Sequence, residues 1–270
     1  MAASSTPRHT EERPSHAWRQ KMAGGAAAYT LSLTVPGRLL NYDHILRTDP
    51  MMSYTSSKVA WCGVRLADPL LCAALVRKHT RQARRQSSSR SAVLVAMAAV
   101  SGGRHAFWAL AMLKKPWPLW SHSLPVALFN SFLNWCHCRV SLEREDEHGE
   151  ESLGGLACVG IVAFMLGSYL ETASEVQRAA FKAKPSNAGK PCTTGLWRHA
   201  AHINYLGYAM WRTAIGMVSA PPWSLGYGVA MLLDFRLRAV PLLRQHMHAK
   251  YGRAWDDYAA RTAIFVPGVV

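Results

Sequence analysis

The sequence predicts an all-α fold: a polytopic helical membrane domain with about five to seven transmembrane or re-entrant segments. Three observations carry that prediction. Half of the 270 residues are hydrophobic and only 17% are charged, against roughly 25% in soluble domains. Pro116 to Cys138 runs 23 residues, and Leu153 to Leu170 runs 18, without Lys, Arg, Asp or Glu; about 20 suffice to cross the hydrocarbon of a bilayer. Elsewhere Lys and Arg gather at the ends of apolar segments, as they do beside membrane spans. Mean hydropathy is only −0.02, so polar stretches dilute the apolar ones.

Taken in order, residues 1–50 read as a polar, largely disordered N-terminal tail, and residues 51–270 as the membrane domain. Glu11 and Glu12 disfavour a mitochondrial transit peptide, which is poor in acids. Gly24 to Val35 is apolar but short and stops at Pro36-Gly37. Val59 to Val76 is apolar apart from Arg65 and Asp68, which at a spacing of three share a helical face and can pair. Ser91 to Leu113 is broken only by Arg104 and His105, and Gly102-Gly103 before them permits a helix break. In the charge-free run that follows, Asn130 and Asn134 point the same way on a helix. They are placed to bond across helices or line a polar cavity.

Arg139 to Glu151 reads as an acidic loop, and Leu153 to Leu170 as the cleanest span. Ile203 to Trp211 and Thr213 to Leu233 supply the last apolar material, divided at Pro221-Pro222. By the bias of basic residues to the cytoplasmic side, Lys114-Lys115 and Arg178 to Arg198 share one side and the acidic loop takes the other. The basic run Arg77 to Arg90 then falls on the wrong side, unless the crossing at Gly102-Gly103 is incomplete.

A net charge of +15 raises the question of nucleic acid, but no recognition motif accompanies it and the charge is spread over segment ends. Nucleic acid is not an expected partner. The six cysteines, mostly inside apolar stretches, lack the spacing of a disulfide framework. Cys136-His137-Cys138 offers two close ligands without a second pair, so no metal site is expected.

Two late stretches carry the chemistry. Thr194 to Tyr208 sets Trp197-Arg198 beside His202, Asn204 and Tyr205 at the mouth of an apolar segment. Guanidinium forks match phosphate, and Tyr and Trp suit a ring-bearing ligand at a membrane interface. In Lys250 to Pro267, Tyr251 and Tyr258 are seven residues apart and so share a helical face, with Arg261 near it. An aromatic belt with snorkelling cations explains the same composition.

The two stretches resemble the steroid 5α-reductase family, whose C-terminal domain is shared by related membrane reductases. GLWRHAAHINYLGY is similar to that family's GLWRYSRHPNYFGE. The segment SYLETASEVQRAAFKAKPSNAGK, with Glu175, Gln177 and Phe181, resembles the part before it, and YGRAWDDYAARTAIFVP resembles the closing Tyr-x-x-Arg and Pro pattern. The resemblance covers residues 168–270; upstream, RHAFWALAMLKKPWPLWSHSLPVALFNSFLN is only faintly similar.

What it implies is an integral membrane enzyme of the endoplasmic reticulum: an oxidoreductase acting on CH–CH groups. Such an enzyme passes hydride from NADPH to a conjugated C=C of a steroid-like or other lipid enone. Gln177, Arg198, His202, Asn204, Tyr205, Tyr251, Tyr258 and Arg261 are then the cofactor-binding candidates, and Asp68 and His105 the weak catalytic ones. The chain departs from the family pattern at Ala201, where the family has Arg, at Ile203 for Pro, and at Tyr208 for Glu. Ala106 replaces the Tyr after the family His, and Asp68-Pro69 stands at best for Glu-x-Pro. Arg198 and Arg212 are the candidates to replace the lost charge.

Three alternatives stay open. One is a catalytically inactive or divergent member of the same fold. Another is an isoprenylcysteine-type methyltransferase using S-adenosylmethionine, although its paired-acid motif is not visible. The last is a di-iron oxidase built on His199, His202, His246 and His248, for which matched acidic ligands are missing.

Overall fold

The computed structural model of the protein describes residues 54–84, 86–114, 119–148, 153–219 and 224–269, all within one compact unit, Leu46–Val270. The expected N-terminal tail, the short apolar stretch within it and Pro221-Pro222 lie outside the described residues. Eight α-helices follow in order among the described residues: α1 Tyr54–Ala83, α2 Ser89–Phe107, α3 Leu124–His148, α4 Gly155–Ala183, α5 Ile203–Ser219, α6 Ser224–Asp234, α7 Val240–Tyr251 and α8 Arg253–Arg261. The described residues form no strand beyond a single bridge between Ala200 and Ala263. The fold is all-α and membrane-like, as expected. Thr55–Ala83, Ser89–Met112 and Gly155–Ala183 are each long and apolar enough to cross a membrane.

The burial pattern of α1 shows which solvent the bundle is built for. Ser57, Trp61, Arg65, Asp68, Cys72 and Val76 recur at spacings of three and four and are buried, whereas Val59, Leu66, Leu70 and Leu71 are exposed. On α3, likewise, Asn130, Ser131, Asn134 and His137 face inward, and Leu128, Phe129, Phe132 and Trp135 face outward. Polar-in and leucine-out inverts the helix of a water-soluble protein. Lipid tails are as apolar as leucine, so only the polar groups need a partner inside.

Helix α1 packs against α2 and α3, α4 lies along α5, and α2 and α3 both touch α5. The core joins Cys72, Leu94, Met97, Cys138, Phe164, Trp211, Ile215 and Val218. Small residues let α4 and α5 approach: a Cβ on Gly167 would lie 2.6 Å from the Trp211 nitrogen, and one on Gly207 would lie 2.5 Å from the Glu171 nitrogen.

Three expectations are corrected. No break occurs at Gly102-Gly103, because α2 runs unbroken from Ser89 to Phe107; Gly102 lets α2 approach the Arg65 carbonyl of α1. The acidic stretch from Arg139 is largely helix, since α3 continues to His148. Its acids meet the α1–α2 connection: Ser88 and Ser91 donate to Glu145 at 2.5 and 3.1 Å, and His79 pairs with Asp146 at 2.9 Å. The basic run and the acidic stretch therefore occupy the same end of the bundle, where simple alternation of the crossings put them although the bias of basic residues did not. Finally, Tyr251 and Tyr258 do not share one helical face, because Gly252, at φ +54°, ends α7 between them.

Between α6 and α7 the chain forms a π-helical turn, Phe235–Ala239. Pro241, in the first turn of α7, cannot donate a backbone hydrogen bond, and a widened turn before it absorbs that loss.

Candidate functional site

The site begins with the turn that precedes α5. Gln177 of α4 accepts from the Leu196 backbone N–H at 2.8 Å, and the Trp197 indole donates to the Ser174 carbonyl at 2.7 Å. These contacts fix the 3₁₀ turn Gly195–Arg198 on the flank of α4. The C-terminal segment then closes on it. Ala201 and His202 donate their backbone N–H groups to the Ala263 and Ile264 carbonyls at 2.8 and 3.0 Å, and Tyr258 donates to the Trp197 carbonyl at 2.5 Å. The two late stretches singled out in the sequence are thus one structural unit.

Rings line this unit. His202 stacks on Tyr205 with centroids 5.4 Å apart, and Trp255 and Phe265 stand 6.4 and 6.2 Å from His202. Trp255 and Tyr258, 5.3 Å apart, pack on Ala201 with Tyr251 beside them. The Trp255 Nε1 is buried without a hydrogen-bond partner. Burial, aided by the charge of Arg244, lowers the His202 pKa to about 4, so its imidazole is neutral near pH 7. At Tyr251, burial alone would raise the phenol. Lys182 and Lys250 outweigh it and lower the pKa from its usual value; Lys182 donates to the Tyr251 oxygen at 2.5 Å.

The eight cofactor candidates divide. Gln177, His202, Asn204, Tyr205, Tyr251 and Tyr258 gather around this unit, Asn204 donating to Glu175 at 3.1 Å. Arg198 and Arg261 are exposed and do not join it: Arg198 bonds His199 at 3.1 Å, and Arg261 donates to the Asp257 carbonyl at 2.9 Å. The position of the family Arg, Ala201, is buried beside Trp255. Trp255, Phe265 and Arg244 escaped the sequence reading. Trp255 lies three residues before Tyr258 on one face of α8, a spacing that would have found it.

Inside the bundle a second cluster holds Asp68 and His105, the catalytic candidates. Arg65 and Asp68 pair as their spacing predicts, at 2.7 Å. The Arg65 guanidinium also donates to His105 Nδ1 at 3.1 Å and to Ser131 at 2.9 Å. Asn134 donates to Asp68 at 2.7 Å and accepts from Arg212 at 2.8 Å, and Arg212 also bonds the Asn130 amide oxygen. Both asparagines therefore reach across helices, as their shared face predicted. Arg212 turns into the bundle and does not replace the family Arg.

A file of aromatic side chains joins the two clusters. Phe235 lies 4.7 Å from Tyr205 and 5.8 Å from Tyr208, which lies 5.2 Å from Trp211. Trp211 in turn stands 5.6 Å from His105. On α5 and the residue before it, His202, Tyr205, Tyr208 and Arg212 follow at helical spacing.

Residues 134–262 match the family model described as a protein of unknown function (DUF1295), which belongs to the steroid 5α-reductase-like family. The chain is also similar to a protein of Ustilaginoidea virens named probable O-methyltransferase ustE, with 28% identity over 162 residues. That alignment covers 57% of this chain and 56% of the relative, so the chain spans about half the length of the protein it matches.

Proposed function

We propose that the chain is a membrane-embedded O-methyltransferase acting on a lipid-soluble acceptor, with S-adenosylmethionine as the methyl donor. The observation that carries this reading is the makeup of the ring cluster. His202, Tyr205, Trp255 and Phe265 stand together with an unpartnered indole N–H, while Arg198 and Arg261 are exposed and bonded to His199 and to the Asp257 carbonyl. Ring faces attract a cation such as a sulfonium. A dinucleotide phosphate needs guanidinium forks instead, and Ala201 supplies none. The residues therefore fit this donor, and the name of the Ustilaginoidea virens relative supports the same reaction class.

The donor, when bound, supplies an electrophilic methyl group. The chain's part is to bind, orient and exclude water. Trp255 and Tyr205 offer ring faces to a purine, and Glu175, fixed by Asn204, brings negative charge to the same end of the bundle. The outward leucines of α1 keep the bundle in lipid, from which an apolar acceptor enters. The resemblance implies the endoplasmic reticulum as that membrane.

A second reading keeps NADPH and reduction of a conjugated C=C in a steroid-like or other lipid enone. It draws on Asn204, Tyr205 and Tyr258 standing at one end of the bundle, and on Arg244, whose charge reaches His202. That chemistry needs a donor for the carbonyl oxygen. Asp68 is already engaged as an acceptor by Arg65 and Asn134, which favours the first reading.

Calorimetric titration of the full chain in lipid nanodiscs tests both. S-adenosylmethionine is expected to bind saturably and NADPH weakly, with Trp255→Leu weakening the former. Tight NADPH binding without S-adenosylmethionine binding would replace the first reading by the second. Binding of neither would mark a relative that has lost catalysis.

A further inference from the structure

Among the described residues, several buried charges meet a partner directly, and Arg90 donates to the Val218 carbonyl at 2.9 Å. Arg104 meets Glu171 at 2.9 Å, and Glu175 is paired with Arg178. At the centre, however, Asp68 alone faces two guanidiniums. Arg65 touches it directly, and Arg212 reaches it only through the Asn134 amide. The Arg212 contacts are neutral: Asn134 Oδ1, Asn130 Oδ1 and the Asn130 carbonyl. Both arginines are at most 1% exposed. Arg65 Nη2 and Arg212 Nε carry N–H groups with no hydrogen-bond partner. The Tyr227 hydroxyl lies against Arg212 and Tyr208, and Tyr208 is close enough to Arg65 for their charges to interact.

An uncompensated cation inside a membrane bundle is costly, and a residue of this kind marks a ligand pathway more often than a scaffold. Guanidinium cannot relieve the cost by losing its proton. What the cluster lacks is one negative oxygen, and it offers that oxygen two free donors and two phenols.

We infer that Arg65 and Arg212 form an anion site inside the bundle that takes the carboxylate of an otherwise apolar ligand. The inference rests on the methyl-transfer reading for one point only, that this carboxylate belongs to the methyl acceptor. The aromatic file from Tyr208 through Phe235 to Tyr205 leads from the anion site to the ring cluster, where the donor binds. Apolar body and charged end are then read by different parts of the protein: lipid-facing helices admit the first, and the two guanidiniums select the second.

The test uses full-length protein in phosphatidylcholine nanodiscs, titrated with pyrenebutyrate and with its uncharged methyl ester. Saturable quenching of tryptophan emission is the readout, since Trp61 and Trp211 flank His105 beside the site. The acid is expected to bind at least about tenfold more tightly than the ester, the factor a charge-assisted hydrogen bond supplies. Arg212→Gln is expected to abolish that preference, and Arg212→Lys to keep part of it. Equal binding of acid and ester to the unmodified protein would overturn the proposal, as would an undiminished preference in Arg212→Gln. The unmodified comparison and Arg212→Lys decide the matter if Arg212→Gln does not fold. S-adenosylmethionine titrated in parallel separates the two readings. Its failure to bind beside an intact acid preference sinks methyl transfer alone; its binding without that preference sinks the anion site alone.

Discussion

The Tyr258 hydroxyl donates to the Trp197 carbonyl at 2.5 Å across 61 residues of sequence. Burial, with the charge of Cys192 adding to it, pushes this phenol above its usual pKa, so it stays a donor at any working pH. The contact ties the last helix to the turn before α5. Tyr258→Phe removes the donor and leaves a buried carbonyl unmet, a loss of about 1–3 kcal/mol. Thermal unfolding in detergent is expected to show a lowered midpoint, while a ligand at the ring cluster keeps most of its affinity. A large loss of affinity without destabilisation would instead place the phenol on the ligand.

Gly167 and Gly207 set how closely α4 and α5 lie. Gly167→Ala would put a methyl group 2.6 Å from the Trp211 backbone nitrogen and 2.7 Å from the Gly207 carbonyl, and backbone cannot yield as a flexible side chain does. Overpacking of this kind costs about 1–3 kcal/mol or more. Gly63→Ala on α1 meets nothing within 4 Å and gains up to about 1 kcal/mol from helix propensity. The two midpoints are expected to move in opposite directions.

Asp68→Asn deletes the one carboxylate between Arg65 and Arg212. Leaving a buried charge uncompensated typically costs about 3–5 kcal/mol. Removing a cation with it, in Asp68→Asn with Arg65→Met, is expected to restore much of the loss. A double-mutant cycle read by unfolding midpoints measures the coupling. Additive losses would mean that the pair holds no such energy.

His202 gives the bundle end a pH dependence. Burial lowers its pKa to about 4 when folded, against about 6.5 in an unfolded chain. The unfolded state therefore binds the proton more readily, and stability falls as pH drops. The contribution is complete above about pH 6.5 and is lost between there and about pH 4, amounting to about 3 kcal/mol. Unfolding midpoints from pH 7.5 to 4.5 are expected to fall more steeply in the unmodified protein than in His202→Gln. Parallel curves would show that this imidazole is not the sensitive group.

The spans at Thr55–Ala83, Ser89–Met112 and Gly155–Ala183, the Arg65–Asp68 pair and the shared face of Asn130 and Asn134 were legible because each is a matter of pattern along one helix. The partners were not. Arg212 looked like a substitute for the charge lost at Ala201, and only the approach of α3 shows that Asn130 and Asn134 claim it. Gly102 permits a break, but it serves a close approach to α1, which sequence cannot distinguish. Tyr251 and Tyr258 fit one helical period, yet a positive φ at Gly252 separates them. Sequence spacing fixes direction around an axis; the neighbour that fills that direction is a tertiary fact.

Ten residues separate His202 from Arg212 along α5, about 15 Å at the rise of an α-helix. That interval acts as a ruler. A molecule gripped by its acidic tip at the lower arginine while presenting its other end to the upper rings must be a rod of comparable reach. Shorter homologues would hang from one anchor or the other and never touch both.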